Sequence, residues 1–106
     1  MREPFHPPTE DITLASVMHA LSDPARLEIV ARLAETDGEN CTGIGEGIDL
    51  HKSTLSHHYR VLRESGLTRT TLEGRSRVVR LRHDDLETRF PGLLRSILAA
   101  LRQPSS

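Results

Sequence analysis

Between His51 and Arg82 the spacing of the side chains changes once, and a glycine stands at the change. Over residues 52–63, at about 100° per residue, Leu55, His58, Tyr59 and Leu62 share one face of a helix, with Ser53, Ser56, His57 and Arg60 opposite. Beyond Gly66, Thr68-Arg69-Thr70-Thr71-Leu72 and Arg77-Val78-Val79-Arg80-Leu81 are rich in β-branched residues and flank Glu73-Gly74. That is the pattern of a hairpin turning near Gly74. Gly66 suits the left-handed position that ends a helix. The stretch therefore folds as helix, glycine and hairpin in immediate succession.

Charge marks out the same stretch. It holds eight Lys and Arg against two acids, a net of +6, whereas the first fifty residues hold three Arg against ten acids, a net of −7. Residues 83–106 balance, so the −1 of the 106-residue chain hides a strongly polarised molecule. A basic segment of this kind suits a polyphosphate partner.

The remaining segments surround that unit with helices. Pro4, Pro7 and Pro8 make residues 1–8 a flexible, extended arm, and Thr9 with Glu10 and Asp11 reads as a helix start. Ile12, Ala15, Val17, Met18 and Leu21 repeat at helical spacing. Asp23 can cap the next helix, with Pro24 at its first position and Leu27, Ile29, Val30 and Leu33 on its apolar face. Gly38, Gly43, Gly45 and Gly47 disfavour helix, although Ile44 and Ile48 keep an i,i+4 relation compatible with a short or distorted one. Asp84-Asp85 can start a last helix, interrupted or kinked at Phe90-Pro91-Gly92. The expected domain covers residues 9–103 and is mainly α with a small β-hairpin, in the order α-α-α-α-β-β-α.

With 36% hydrophobic and 3% aromatic residues, the core is aliphatic and thin, enough for one domain. Leu14 and Met18 near one end, and Leu93, Leu94, Ile97, Leu98 and Leu101 near the other, cover a wide apolar arc, which points to a homodimer interface. No apolar run approaches the roughly 20 residues that span a bilayer. No secretory signal is visible, and one cysteine cannot form an internal disulfide. A cytoplasmic protein with no membrane partner is expected.

The outward face of residues 52–63 carries short polar side chains and long cations, a composition suited to the major groove of double-stranded DNA. Lys52, Ser53, Thr54, Ser56, His57 and Arg60 are the candidate contacts, and no acid appears before Glu64. Free N–H groups at the start of the helix also attract phosphate. Arg75 and Arg77, just past the hairpin turn, can meet a neighbouring phosphate strand or the minor groove, adding affinity more than sequence choice. His58 falls at the edge of the apolar face and reads as a packed histidine, while His57 points outward.

ALSDPARLEIVARL (20–33), KSTLSHHYRVLRESGL (52–67) and EGRSRVVRL (73–81) resemble the ArsR family of bacterial winged-helix repressors, over roughly residues 12–101. The most specific parts are Leu-Ser-Asp-x-x-Arg-Leu and Ser-x-x-Ser-His-His-x-x-x-Leu-Arg-x-x-Gly-Leu. The resemblance implies a winged helix-turn-helix in which residues 52–64 are the recognition helix and 68–82 the wing. It also implies a symmetric dimer whose recognition helices lie about 34 Å apart, and repression released by an effector. The chain departs from the metal-sensing members: Asn40-Cys41-Thr42-Gly43 holds a single thiol, and no His follows His83. No metal or cofactor is expected, because soft and borderline metals need several converging thiolates or imidazoles.

Two other functions compete with operator binding. A winged-helix module can bind protein through an apolar recognition face, but here that face is polar and the wing cationic. Cys41 could serve as a redox sensor if exposed and of low pKa, although most lone cysteines are simply packed. Catalysis is excluded: no acid orients His57 or His58, no glycine elbow presents a serine, and GIGEG lacks the Lys-Ser/Thr ending of a phosphate-binding loop.

Overall fold

The computed structural model describes residues 5–36 and 50–102, and the main chain of 39–40. A 3-10 turn, Thr9–Asp11, precedes α1 (Leu14–Ala20) and α2 (Pro24–Ala34). Next come β1 (Glu39–Asn40), α3 (Lys52–Glu64), β2 (Thr68–Glu73), β3 (Ser76–Leu81), α4 (His83–Arg89) and α5 (Leu93–Arg102). Cys41 and the Ile44–Ile48 pattern lie outside the described residues.

The first helix starts later than its acidic residues suggest. Thr9–Asp11 closes only a 3-10 turn, Ile12 is extended, and Thr13 caps α1 through a bond from the Ser16 N–H to its hydroxyl at 3.2 Å. Two pulls on Ile12 explain the shift. Its side chain is buried in the core, and its carbonyl accepts from Arg89 Nε and Nη2 at 3.0 and 2.8 Å. That carbonyl is therefore spent on a side chain. At the start of α2 the expected cap is present, with Asp23 Oδ1 accepting from the N–H of Ala25 at 2.8 Å and of Arg26 at 3.3 Å. Ile29, Val30 and Leu33 then bury one side of that helix.

Gly66 ends α3 in a Schellman turn. The Leu67 N–H bonds the Leu62 carbonyl and the Gly66 N–H bonds the Arg63 carbonyl, both at 3.1 Å, with Gly66 at φ +92°. The buried Leu67 then leads directly into β2. Strands β2 and β3 pair from Thr68↔Leu81 to Glu73↔Ser76 around the two-residue turn Gly74-Arg75, with Gly74 at φ +64°. Alternate residues Thr68, Thr70, Val79 and Leu81 face the core. The sheet is larger than the simple hairpin expected, because β1 pairs antiparallel with β3 and gives the order β1-β3-β2.

The last helical region is two helices, broken as expected at Phe90-Pro91-Gly92, with Gly92 at φ +82°. Leu86 of α4 and Leu94 and Leu98 of α5 join the core. Within the arm, His6 and Pro7 lie against the domain. His6 Nε2 accepts from the Thr70 N–H at 2.9 Å, and the Pro7 carbonyl accepts from Arg82 Nη1 at 2.8 Å. Strand β2 is an edge whose N–H groups need partners, and the arm supplies one.

Arg82 also donates from Nε to Asp85 Oδ2 at 2.8 Å, while the Thr9 hydroxyl donates to Asp85 Oδ1 at 2.6 Å. The Thr9 hydroxyl, and then Arg82, hold the Asp85 carboxyl below the usual carboxylate range. A lowered native value stabilises the fold fully above the unfolded value of about 3.9 and stops doing so as pH falls through the native one. Asp85→Asn is therefore expected to lose roughly 1–2 kcal/mol near neutral pH and to approach the parent's stability in acid. Urea titrations at both pH values, with an acid difference as large as the neutral one, would contradict this account.

A Cβ at Gly66 would stand 2.5 Å from Ile12 Cγ1, in a backbone region that L side chains rarely adopt. Gly66→Ala should cost at least about 2 kcal/mol, combining the left-handed penalty with displacement of Ile12. A urea midpoint within error of the parent's would show that Ile12 can yield to a side chain at residue 66.

Candidate nucleic-acid interface

Helix α3 presents two different surfaces. Leu55, His58 and Leu62 are buried, whereas Lys52, Ser53, Thr54, Ser56, His57 and Arg60 are all exposed. The six residues expected on the outer face are therefore open to solvent, and the first acid on the helix is Glu64. His51 precedes the helix in extended conformation and its side chain does not cap it. The first intrahelical bond is from the Leu55 N–H to the His51 carbonyl at 3.0 Å, so the N–H groups of Lys52, Ser53 and Thr54 have no partner within the helix. An anion placed there would meet unfilled donors and the positive end of the helix dipole.

The wing divides its cations by register. Arg75 occupies the turn and Arg77 the outer part of β3; both are exposed, and among the described residues neither makes an ion pair. Arg80 is engaged on the sheet: its Nη1 donates to Glu73 Oε2 at 2.6 Å, and the Thr71 hydroxyl donates to the same oxygen at 2.9 Å. Those two bonds, Arg80 first, hold the Glu73 carboxyl below its usual range. Arg69 stands 3.9 Å from Asp85 Oδ2. Arg82, which the charge count assigned to the basic surface, is 5% exposed and tied to Pro7 and Asp85. The +6 of the sequence thus overstates the outward charge, because a guanidinium can brace the interior as readily as it can face a ligand.

One polar contact behind the recognition helix escaped the sequence reading. Arg26, on α2, donates from Nε to the Ala20 carbonyl at 2.6 Å and from Nη2 to the His19 carbonyl at 3.4 Å. Its Nη1 lies 3.2 Å from His58 Nδ1. His58 is packed, as its position on the helix wheel suggested. The available signal for Arg26 was its place on the apolar stripe with Ile29, Val30 and Leu33, where a cation needs partners.

The residues expected at a dimer interface separate in the same way. Leu14 and Met18 are 50% and 42% exposed, and Leu93, Ile97 and Leu101 are half-buried. Leu94 and Leu98 are only 7% and 9% exposed and belong to the chain's own core. Among the described residues no three His, Cys, Asp or Glu side chains converge as metal ligands. No helix there is long and apolar enough to cross a membrane.

Comparison with known proteins agrees with this architecture. A helix-turn-helix domain family matches residues 21–71. The HTH-type transcriptional regulator YceK of Bacillus subtilis is 38% identical over 90 residues, covering 84% of this chain and 90% of that protein. The arsenical resistance operon repressor of Staphylococcus xylosus is 35% identical over 75 residues, 70% of each chain. The crystal structure of the transcriptional repressor BigR from Xylella fastidiosa superposes with a TM-score of 0.66 at 27% identity, covering 87% of this chain and 88% of that one. HlyU from Vibrio cholerae shares the fold at a TM-score of 0.69 and 21% identity, covering 84% and 91%. An exposed acid-free recognition face, a hairpin wing and these relatives lead to one assignment: the chain is a member of the ArsR family of winged helix-turn-helix transcriptional regulators.

Proposed function

We propose that this regulator binds a double-stranded DNA operator with sequence preference, as a homodimer, and represses transcription until an effector releases it. The observation that carries the reading is the outer face of α3, where six exposed polar or cationic side chains surround unfilled N–H groups with no acid among them. Ser53, Ser56, His57 and Arg60 have the reach and chemistry for base edges, with Lys52 and Thr54 near the phosphates. Arg75 and Arg77 add backbone contacts. Repression is supported by the two relatives that are themselves repressors. The alternative of a protein-binding winged helix is disfavoured because the exposed residues of α3 include no large apolar side chain.

The dimer reading rests on α1 and α5. Leu14 and Leu93 line one shared depression with Phe90 and Pro91, and Met18 lies one turn further along α1. Apolar groups so placed gain about 25 cal/mol for each Å² that a second copy would cover.

Operator affinity should fall linearly on a log–log salt scale, by about 0.9 per phosphate neutralised. Arg60→Ala is expected to relax base preference, whereas Arg75→Ala should weaken all sequences alike and flatten the salt slope. Arg82→Ala should lower stability and leave that slope unchanged. Fluorescence anisotropy over a salt series decides between these outcomes, and salt-independent binding by the parent would defeat the proposal.

Sedimentation equilibrium at micromolar concentration should give about twice the 11.8 kDa chain mass. Met18→Glu should shift the protein to monomer without unfolding it. A parent that sediments as a single chain would remove the dimer from the proposal.

A further inference from the structure

Behind the recognition helix, a buried arginine meets a buried histidine, and neither takes part in the contacts proposed above. We infer that the Arg26–His58 pair is a proton-sensitive clamp: Arg26 positions the recognition helix through neutral His58, and protonation of His58 releases the helix and weakens DNA binding. The inference rests on the DNA-binding reading and adds a regulatory input to it.

The tautomer follows from the donors. A guanidinium has five N–H donors and no acceptor. At 3.2 Å from Arg26 Nη1, His58 Nδ1 can only be the acceptor, so it carries the lone pair and the ring proton resides on Nε2. The same guanidinium spends Nε on the Ala20 carbonyl and Nη2 on the His19 carbonyl, the last carbonyls of α1. One side chain thus joins α1, α2 and α3, and its bond to α3 is the one that depends on a titratable partner.

Protonation changes that bond's sign. Imidazolium has no acceptor left, so the hydrogen bond is lost and two cations face each other in a buried site. On α2 His58 faces Arg26, and the Asp23 carboxylate that caps this helix attracts an imidazolium through space, offsetting part of that repulsion, while its Oδ1 accepts from the N–H groups of Ala25 and Arg26. On α3 its neighbour is the His57 ring, 5.9 Å between centroids. The two α1 carbonyls point to Arg26. Relief comes from moving α3 away from α2, which displaces Ser53, Ser56, His57 and Arg60 together, since all stand on that helix.

The opposite sign is expected of His57, which is exposed: protonating it adds a cation to the DNA-facing surface. Whole-protein pH profiles therefore mix two effects, and a variant must separate them. His58→Asn places an amide oxygen near the Nδ1 position, can still accept from Arg26, and cannot be protonated.

Anisotropy titrations of the parent and His58→Asn on the same operator duplex, between about pH 8 and about pH 5.5, should show the parent losing about tenfold more affinity than the variant. Circular dichroism at each pH establishes that both remain folded. Parallel profiles for the two proteins would overturn the clamp. If neither protein binds duplex DNA at pH about 8 and low salt, the DNA-binding reading fails first and the clamp with it. Ring-nitrogen NMR of the parent gives a test independent of the variant's folding. At about pH 8 it should show His58 protonated at Nε2 and bare at Nδ1, and a proton on Nδ1 would equally overturn the assignment.

Discussion

The contact between Ile12 and Gly66 is the joint on which the rest of the molecule turns. Ile12 sits where the N-terminal segment enters the core, and its side chain fills the space that a Cβ on Gly66 would need. Gly66 in turn ends α3 and, two residues later, the chain becomes the wing. The angle between recognition helix and hairpin is therefore set by a glycine conformation and one isoleucine, not by a linker. Arg89 adds the final helical region by donating twice to the carbonyl of that isoleucine. Three segments distant in sequence, around Ile12, Gly66 and Arg89, are fixed at one point.

Around that joint the chain uses arginine in two opposed ways. Arg26, Arg82 and Arg89 satisfy main-chain carbonyls, and each ties segments that the small aliphatic core could not hold alone. A buried guanidinium is tolerable only where several acceptors converge on it, which makes Arg26 and Arg82 intolerant of displacement. Lys52, Arg60, Arg75 and Arg77 remain exposed, where charge can meet a phosphate and be screened by salt. The same residue type thus builds the scaffold and equips the surface. The proposed clamp at His58 belongs to the first group but acts on the second, since the helix it would hold is the one that carries the proposed DNA contacts.

Helix periodicity, the Asp23-Pro24 start, the Gly66 stop, the turn near Gly74 and the break at Phe90-Pro91-Gly92 were all legible in the chain, because each depends on residues within one turn or one hairpin of one another. So was the outward face of α3, since a wheel assigns faces without knowing what covers them. The family could be recognised for the same reason: its motifs lie in these local segments. Three readings needed more than local pattern. Ile12 left its helix to pack under Gly66, the arm docked on the free edge of β2, and β1 joined β3 from 38 or more residues away.

What the sequence determined by itself was the order of elements, the polarity of the charge and which side chains the recognition helix shows to solvent. These follow from spacing, capping and backbone freedom, all short-range. Only the tertiary structure decided which cations are available, for Arg75 and Arg82 look alike in a row of letters, and one is exposed while the other is buried against Pro7 and Asp85. It alone decided that Leu94 and Leu98 belong to the core while Leu14 and Met18 do not. And it alone brought Arg26 to His58, because a hydrogen bond between residues 32 apart depends on how three helices pack and not on the composition of any one of them.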